Sequence, residues 1–175
     1  MHAFFRVSGM TLVCLATTAS AQAQAQVQRR ESLCSKEEKV AFSCRVGNKI
    51  ASLCASADLS DTSGYVQYRY GTKNKVELLY PASTSHPRAY FRYGSNRYTG
   101  GSTAYYRFSN NDYDYIVYSG RSWKWLNEGV VVEKDGQRLA SLKCKHEAIV
   151  PDNWGGMSSA GIPTVEGEGN QFDMP

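Results

Sequence analysis

Histidine chemistry has two candidates in the body of the chain, His86 in a proline-flanked loop and His146 after the last strand-like run. Neither stands in a nucleophile–base signature. Asp112 and Asp114 are close enough in sequence to raise the idea of paired carboxylates. Asp114 is accounted for by an opposing Arg107, and Asp112 by a turn. The acid pair of a glycosidase is defined by a spatial separation that sequence does not show. No Gly-rich phosphate loop occurs. The residue types therefore predict no catalytic residue, no metal and no cofactor.

Binding chemistry is better represented. All twelve tyrosines fall between Tyr65 and Tyr118, and residues 65–111 carry seven basic side chains against a single acid, Glu77. Tyr offers contact area and a hydroxyl at low entropic cost, and Arg beside it suits protein surfaces, sugar rings or anions. Alternation along strands must leave part of this set outside. The predicted binding residues are Tyr68, Tyr70, Tyr90, Arg92, Tyr93, Arg97 and Tyr98, with Trp123 and Trp125 of a neighbouring loop. The competing account is structural: Tyr is a favoured strand residue, and a half-buried sheet carries it without any ligand.

The element that must position these side chains most directly is Thr103 to Ser119, TAYYRFSNNDYDYIVYS. A tight turn at Asn110-Asn111 sets Phe108 opposite Tyr113, Arg107 opposite Asp114, Tyr106 opposite Tyr115 and Tyr105 opposite Ile116. Alternation then groups Ala104, Tyr106, Phe108, Tyr113, Tyr115 and Val117 on the core face. Tyr105, Arg107, Asp114, Ile116 and Tyr118 share the outer face. There the Arg107–Asp114 pair contributes roughly 0.2–1 kcal/mol.

Other hairpins flank this one. Val40–Val46 and Lys49–Ala55 surround Gly47-Asn48, and Gly64–Tyr70 and Lys75–Tyr80 surround residues 71–74. A short strand Ala89–Gly94 returns through Tyr98. Gly129–Lys134 and Gln137–Lys145 flank Asp135-Gly136, pairing Glu133 with Arg138 and Val131 with Ala140, so that Ala140, Leu142 and Cys144 share the face of Val131. Strand runs with regular turn signals predict an all-β fold, a single antiparallel β-sandwich or small β-barrel of about eight strands.

Residues 1–25 read as a secretory signal peptide: Arg6, an apolar run from Val7 to Thr17, and small-residue cleavage sites up to Ala25. The run is too short to span a bilayer. Residues 26–33 are read as a linker, 34–146 as the β domain, and 147–175 as an acidic Gly/Pro-containing tail, disordered apart from Ile149, Trp154 and Ile162 as docking points. Export predicts a periplasmic or secreted protein with no membrane span, and argues against nucleic acid as partner.

Past the leader the cysteines are Cys34, Cys44, Cys54 and Cys144. An even count in an exported chain predicts two disulfides, and the spacing matches no compact zinc pattern. Of the three connectivities, Cys34–Cys44 with Cys54–Cys144 is favoured, because it ties the N-terminal segment and the last strand to the sheet. A two-residue turn at Gly47-Asn48 puts Cys44 and Cys54 on opposite faces; one extra loop residue puts Cys54 with the core. In neither geometry are they directly opposed. The tail holds Glu147, Asp152, Glu166, Glu168 and Asp173 and no Lys or Arg, so the net charge of +4 conceals a strongly basic body. Such asymmetry bears on partners and solubility.

Phe42-Ser43-Cys44, Ser52-Leu53-Cys54-Ala55-Ser56, Asp58-Leu59-Ser60, Val117-Tyr118-Ser119-Gly120 and the run from Gly129 to Gly136 carry a resemblance. Over residues 34–145 the chain resembles a family of small exported uncharacterised proteobacterial proteins, which implies export and the domain limits but no activity. It is also similar to the periplasmic lysozyme inhibitors, small disulfide-containing β proteins that insert a Ser-Gly-x-x-Tyr loop into the lysozyme cleft. Ser63-Gly64 is followed by Tyr68, one residue later than that motif, and Ser119-Gly120 by Trp123, an aromatic of another type. The resemblance therefore carries over no inhibitory residue.

The expected function is a non-catalytic periplasmic or secreted binding protein, a protein binder of lysozyme-inhibitor kind. The alternative is an envelope glycan or lipopolysaccharide-binding module using surface Tyr and Arg, and the second alternative a structural envelope protein. The expected partner is a protein or anionic glycan of the cell envelope.

Overall fold

In the computed structural model of the chain, residues 31–165 and 172–175 are described. The signal-peptide reading of 1–25 lies outside the described residues, as does the linker over 26–30. β1 (Lys39–Val46), β2 (Lys49–Ala55), β3 (Val66–Thr72) and β4 (Lys75–Tyr80) form one antiparallel sheet in that order. β5 (Arg92–Tyr98), β6 (Gly101–Asn110), β7 (Tyr113–Ser122), β8 (Leu126–Lys134) and β9 (Gln137–Lys143) form the second. Strand neighbours are sequence neighbours throughout, so each sheet is a meander of hairpins. The turns explain why. Asp135 at φ 51° and Gly136 at φ 74° both occupy the left-handed region that a type I′ turn requires.

The two meanders pack face to face as a sandwich. One apolar cluster draws Phe42, Leu53, Val66 and Tyr68 from the first sheet and Tyr106, Phe108, Val117 and Val130 from the second. Phe108 is its hub. Its ring centroid lies 4.7 Å from Tyr80, 5.0 Å from both Tyr68 and Tyr115, and 5.4 Å from Phe91. Each such pair is worth about 0.5–1.5 kcal/mol beyond the area it buries.

The central hairpin turns one residue later than its sequence predicts. Asn111-Asp112 form the turn, Asn111 at φ 54°, so Asn110 faces Tyr113 and Phe108 faces Tyr115. The pairing slips by two residues, and because faces repeat every two residues the division into core and outer faces survives. The direct partners change. Arg107 faces Ile116 and reaches Asp114 diagonally at 3.3 Å, and Glu133 of β8 at 2.8 Å. Tyr113, at the strand end, is exposed rather than core.

The last hairpin keeps Glu133 opposite Arg138 but then bulges, leaving Leu139 over. Val132 therefore faces Ala140, and Val130 faces Leu142. The bulge transfers Ala140 and Leu142 from the face of Val131 to that of Val130, against the expected register.

The disulfides are Cys34–Cys54 and Cys44–Cys144, with Cα separations of 5.2 and 5.5 Å. The expected pairing is thereby corrected, and the turn at Gly47-Asn48 supplies the reason. It is a two-residue turn, with Val46 opposite Lys49, which sends Cys44 and Cys54 to opposite faces. Cys44 belongs to the core between the sheets and meets the end of the second sheet. Cys54 faces away from that core, toward the segment 31–38.

That segment is packed against the sheet and does not behave as a loose linker end. Ser43 Oγ donates to Glu31 O at 2.7 Å, and Leu33 N donates to Ser52 Oγ at 3.1 Å. Glu38 accepts two bonds of 2.7 Å from the Arg69 guanidinium, one from Ser35 N, and one of 3.0 Å from the Tyr65 hydroxyl. Burial pushes the Glu38 carboxyl up, but these donors outweigh it and hold the group below the usual glutamate range.

In the described part of the tail the expected docking points, Ile149, Trp154 and Ile162, meet the body. Ile149 bridges to Ser43 on the edge of the first sheet, and Thr164 bridges to Tyr93 on the edge of the second. Two open edges are thus covered. Trp154 is buried, stacked on Phe42 at 5.9 Å and edge-on to Tyr106 at 5.1 Å.

Two predictions follow from the staples and the buried carboxylate. The disulfides close sequence separations of 20 and 100 residues, so in urea the Cys34→Ala/Cys54→Ala pair costs about 3 kcal/mol and the Cys44→Ala/Cys144→Ala pair about 5 kcal/mol. Equal losses would contradict the chain-entropy account. A carboxyl held low in the folded state stabilises above its unfolded pKa of about 4.3 and stops doing so as pH falls through the folded value. The melting temperature of the wild type therefore drops more steeply than that of Glu38→Gln from about pH 5 to pH 3, and the two curves converge below. Parallel curves would remove Glu38 from the acid response.

Candidate functional site

Two turns meet at one end of the second sheet. The β5–β6 turn is Thr99-Gly100, and Gly101 of β6 sits opposite Ser122, where β7 gives way to Trp123-Lys124-Trp125. Ser122 shapes the second turn: its Oγ accepts from Lys124 N and Trp125 N at 3.0 Å each, and its N–H donates to Trp125 O at 2.8 Å. This local capping turns Trp125 back over the sheet and leaves Trp123 at the tip.

The rings fit because the floor is glycine. A Cβ added at Gly101 would meet the Trp125 ring at 3.0 Å, and one at Gly120 would meet it at 3.1 Å. Trp125 is half-buried on these residues and contacts Tyr98 edge-on at 6.2 Å. Trp123 is 78 % exposed, with Lys124 Nζ 4.2 Å over its ring and Gly100 beneath it. The next row of the sheet sets Arg97 opposite Ser102, Ser102 opposite Arg121, and Arg121 opposite Leu126. Arg97 and Arg121 thus stand two strands apart, about 10 Å. Arg121 also pairs with Glu147 at 3.1 Å, both side chains solvent-exposed, a pair that contributes little stability.

The residues predicted for binding divide. Tyr98 and Trp125 come together at this corner with Trp123 at its tip, whereas Arg97, the neighbour of Tyr98 along β5, faces the other side of the sheet. Tyr68 is not at the corner: it is 1 % exposed, between Phe108 and Tyr115 in the core. Tyr70, Tyr90 and Tyr93 pack against the same core, Tyr90 on Tyr80 and Tyr93 on Tyr106. Arg92 is exposed, but its guanidinium folds back onto the carbonyls of Arg88 and Phe91 at 3.1 and 2.8 Å. Alternation is the reason, since most of these tyrosines fall on the faces that look across the sandwich.

The corner also holds residues that the sequence reading omits. Lys124 lies between the two tryptophans, and Asn127 follows Trp125 by two and so shares its face. Trp125, Asn127, Lys143 and Met174 line one depression beside the corner, together with Glu128 and the Cys144 staple. Glu128 is buried and satisfied, accepting from Ser119 Oγ at 2.8 Å and from Ala148 N at 2.7 Å. The Trp-Lys-Trp spacing was the available signal for Lys124.

Elsewhere, the groups that might do chemistry are engaged. His86 uses Nε2 toward Ser60 O at 3.1 Å and accepts from Arg88 N through Nδ1. Cys34, Glu38 and Cys54 gather within ligand distance of one another, but both sulfurs are spent in the disulfide and Glu38 holds Arg69. The two stretches similar to the lysozyme-inhibitor motif are not extended loops with a free Tyr. Tyr68 is in the core, and Ser119 and Gly120 lie within β7.

No protein-family model, curated protein or solved structure matches this chain.

The two tryptophans should separate binding from folding. Trp123→Ala leaves stability within about 0.5 kcal/mol, as for an exposed surface position, whereas Trp125→Ala costs roughly 1–3 kcal/mol, less than a fully buried ring. Equal urea midpoint shifts for the two variants would show that Trp125 is not seated on Gly101 and Gly120.

Proposed function

We propose that the protein is a non-catalytic binding protein of the cell envelope, periplasmic or secreted, whose ligand is an anionic glycan held at the Trp123 corner. The observation that carries this reading is Trp123 itself, a large apolar ring left in solvent with Lys124 laid across it. An isolated indole gains nothing from such exposure. A ring beside Tyr98 and Trp125, with the Lys124 ammonium laid across it, offers stacking area for a sugar and charge for its phosphate or carboxylate. Two disulfides agree with an oxidising compartment. The engaged state of His86 and the paired carboxylates support a binding role over a hydrolytic one.

A glycan is favoured over a lysozyme-like protein partner for two reasons. The body of the chain is basic, and Lys124 stands at the corner itself, which repels basic proteins and attracts phosphorylated or acidic saccharides. The segments that resemble an inhibitory loop have no Tyr to insert, because Tyr68 is consumed by the core.

The test is a titration of the protein with lipopolysaccharide and with peptidoglycan fragments, followed by tryptophan fluorescence. Binding is expected, weakening as salt is raised. Trp123→Ala and Lys124→Glu should each reduce affinity about tenfold or more, an effect of about 1.4 kcal/mol. Unchanged affinity in both variants would remove the corner from the site, and absence of binding to either polymer would remove the glycan.

A further inference from the structure

The outer face of the second sheet, away from the first sheet, is not flat. Gly94 of β5 and Gly120 of β7 withhold side chains from it. A Cβ at Gly94 would run into the ring of Tyr105, and one at Gly120 into Met174 Sδ and, at 2.7 Å, Thr103 Oγ1. Tyr105, Ile116, Tyr118 and Val131 make an apolar floor, separate from the core between the sheets. Phe172 fills the trough. It is 2 % exposed, its centroid 5.3 Å from Tyr105 and 5.1 Å from Tyr118. Tyr105 and Tyr118, expected on the outer face, are there, but they are buried beneath this ring; burial pushes the Tyr118 phenol up to about 12.

The segment 172–175 is held in an unusual way. It pairs with no strand. Its carbonyls are instead taken by side chains of the trough: Asn96 Nδ2 donates to Phe172 O, the Arg138 guanidinium to Asp173 O, and Asn127 Nδ2 to Pro175 O at 2.7 Å. Met174 lies over Gly120 and accepts from Thr103 Oγ1 at 2.8 Å. Carbonyls are common to every peptide, so the three donors read an extended main chain. Side-chain selectivity comes from the aromatic floor and from the slot over Gly120, two residues further along.

We propose that this trough is a peptide-binding site, occupied here by the chain's own residues 172–175, and that its partner is an extended segment of another protein with the pattern aromatic-x-Met. The resident segment supplies the chemistry of the partner: one ring for the floor, one thioether for the slot, and carbonyls for Asn96, Arg138 and Asn127. Being tethered, it competes at the millimolar effective concentration of an intramolecular ligand. A partner therefore binds by displacing it. The trough abuts the Trp123 corner and shares Gly120, Asn127 and Met174 with it, but its floor of Tyr105, Ile116, Tyr118 and Val131 is its own, and neither reading rests on the other.

The experiment uses the full chain carrying Phe172→Glu, whose carboxylate the apolar floor excludes. A labelled peptide Gln-Phe-Asp-Met-Pro is titrated by fluorescence polarisation, with circular dichroism and size-exclusion chromatography on each protein. The variant is expected to bind the peptide about tenfold or more tightly than the wild type does. Replacing Phe in the peptide by Ala should abolish binding, and adding Asn96→Ala with Asn127→Ala should weaken it. A folded variant that ignores the peptide, or takes the Phe and Ala peptides equally, would overturn the proposal. So would a wild-type dimer that the substitution converts to monomer, since the trough would then serve a second copy. If Phe172→Glu does not fold, Phe172→Ala replaces it with the same outcomes. Lipopolysaccharide binding is scored separately on the same proteins, so that failure there counts against the corner and failure with the peptide against the trough.

Discussion

Phe108 is the contact through which two independent meanders become one body. Hydrogen bonds hold each sheet along its own hairpins, and none of those ladders crosses from β4 to β5. What joins the sheets is side-chain burial, centred on the stack of Phe108 with Tyr80, Tyr68, Tyr115 and Phe91, together with the Cys44–Cys144 link and the backbone bonds of Lys145 to Arg45 and of Ile149 to Ser43 that tie the segment after β9 to β1. The demand for large flat rings in that position explains why tyrosine is so abundant between residues 65 and 118. Most of the Tyr-rich composition is therefore spent on the sandwich, and among the described residues the aromatic rings left exposed are Tyr98, Tyr113 and Trp123.

A second consequence follows from the outer faces. An antiparallel sheet of a sandwich commonly leaves one face to solvent, but here both sheets are covered on both sides. The segment 31–38 lies over the first, fastened by Cys34–Cys54 and by the Glu38–Arg69 fork. Phe172 and Met174 lie over the second. The two coverings differ in kind. The first is covalently fixed and seats a buried ion pair. The second is held by the Phe172 ring, by Met174 over Gly120 and by side-chain bonds to main-chain oxygens, without a covalent link.

How far the sequence foretold this depends on the range of each interaction. Period-two alternation is local, so the division of residues 103–119 into two faces was legible, as were the hairpins and the all-β class. The register was not, because Asn110-Asn111 and Asn111-Asp112 are chemically similar turns and only packing of Phe108 against Tyr115 distinguishes them. The bulge at Leu139 is equally invisible to a pattern that treats Val131 and Val130 alike. The disulfide pairing depended on where residues 31–38 lie, which no periodicity reports. Trp154 and Phe172 stand in stretches without any strand or helix pattern, so their burial, and the covering of Tyr105 and Tyr118, could not be inferred from neighbours in sequence. At the corner, Trp123 and Trp125 were visible by composition, whereas Asn127 becomes meaningful only once Trp125 is known to face outward.

The charge distribution sharpens in the same way. Residues 65–111 are markedly basic, yet Arg69 is committed to Glu38, Arg88 to Asp61, and Arg107 to Asp114 and Glu133. Arg92 is folded onto backbone carbonyls. These commitments remove the strand middles as places to hold an anion, because a guanidinium already sharing its fork has little left to offer and would have to give up a partner to bind another. Of the seven basic residues in 65–111, Lys75 at the β3–β4 turn and Arg97 near the end of β5 are exposed with no ion pair among the described residues, and Lys73 at that same turn pairs with Glu31. Lys124 stands exposed at the corner with no ion pair among the described residues.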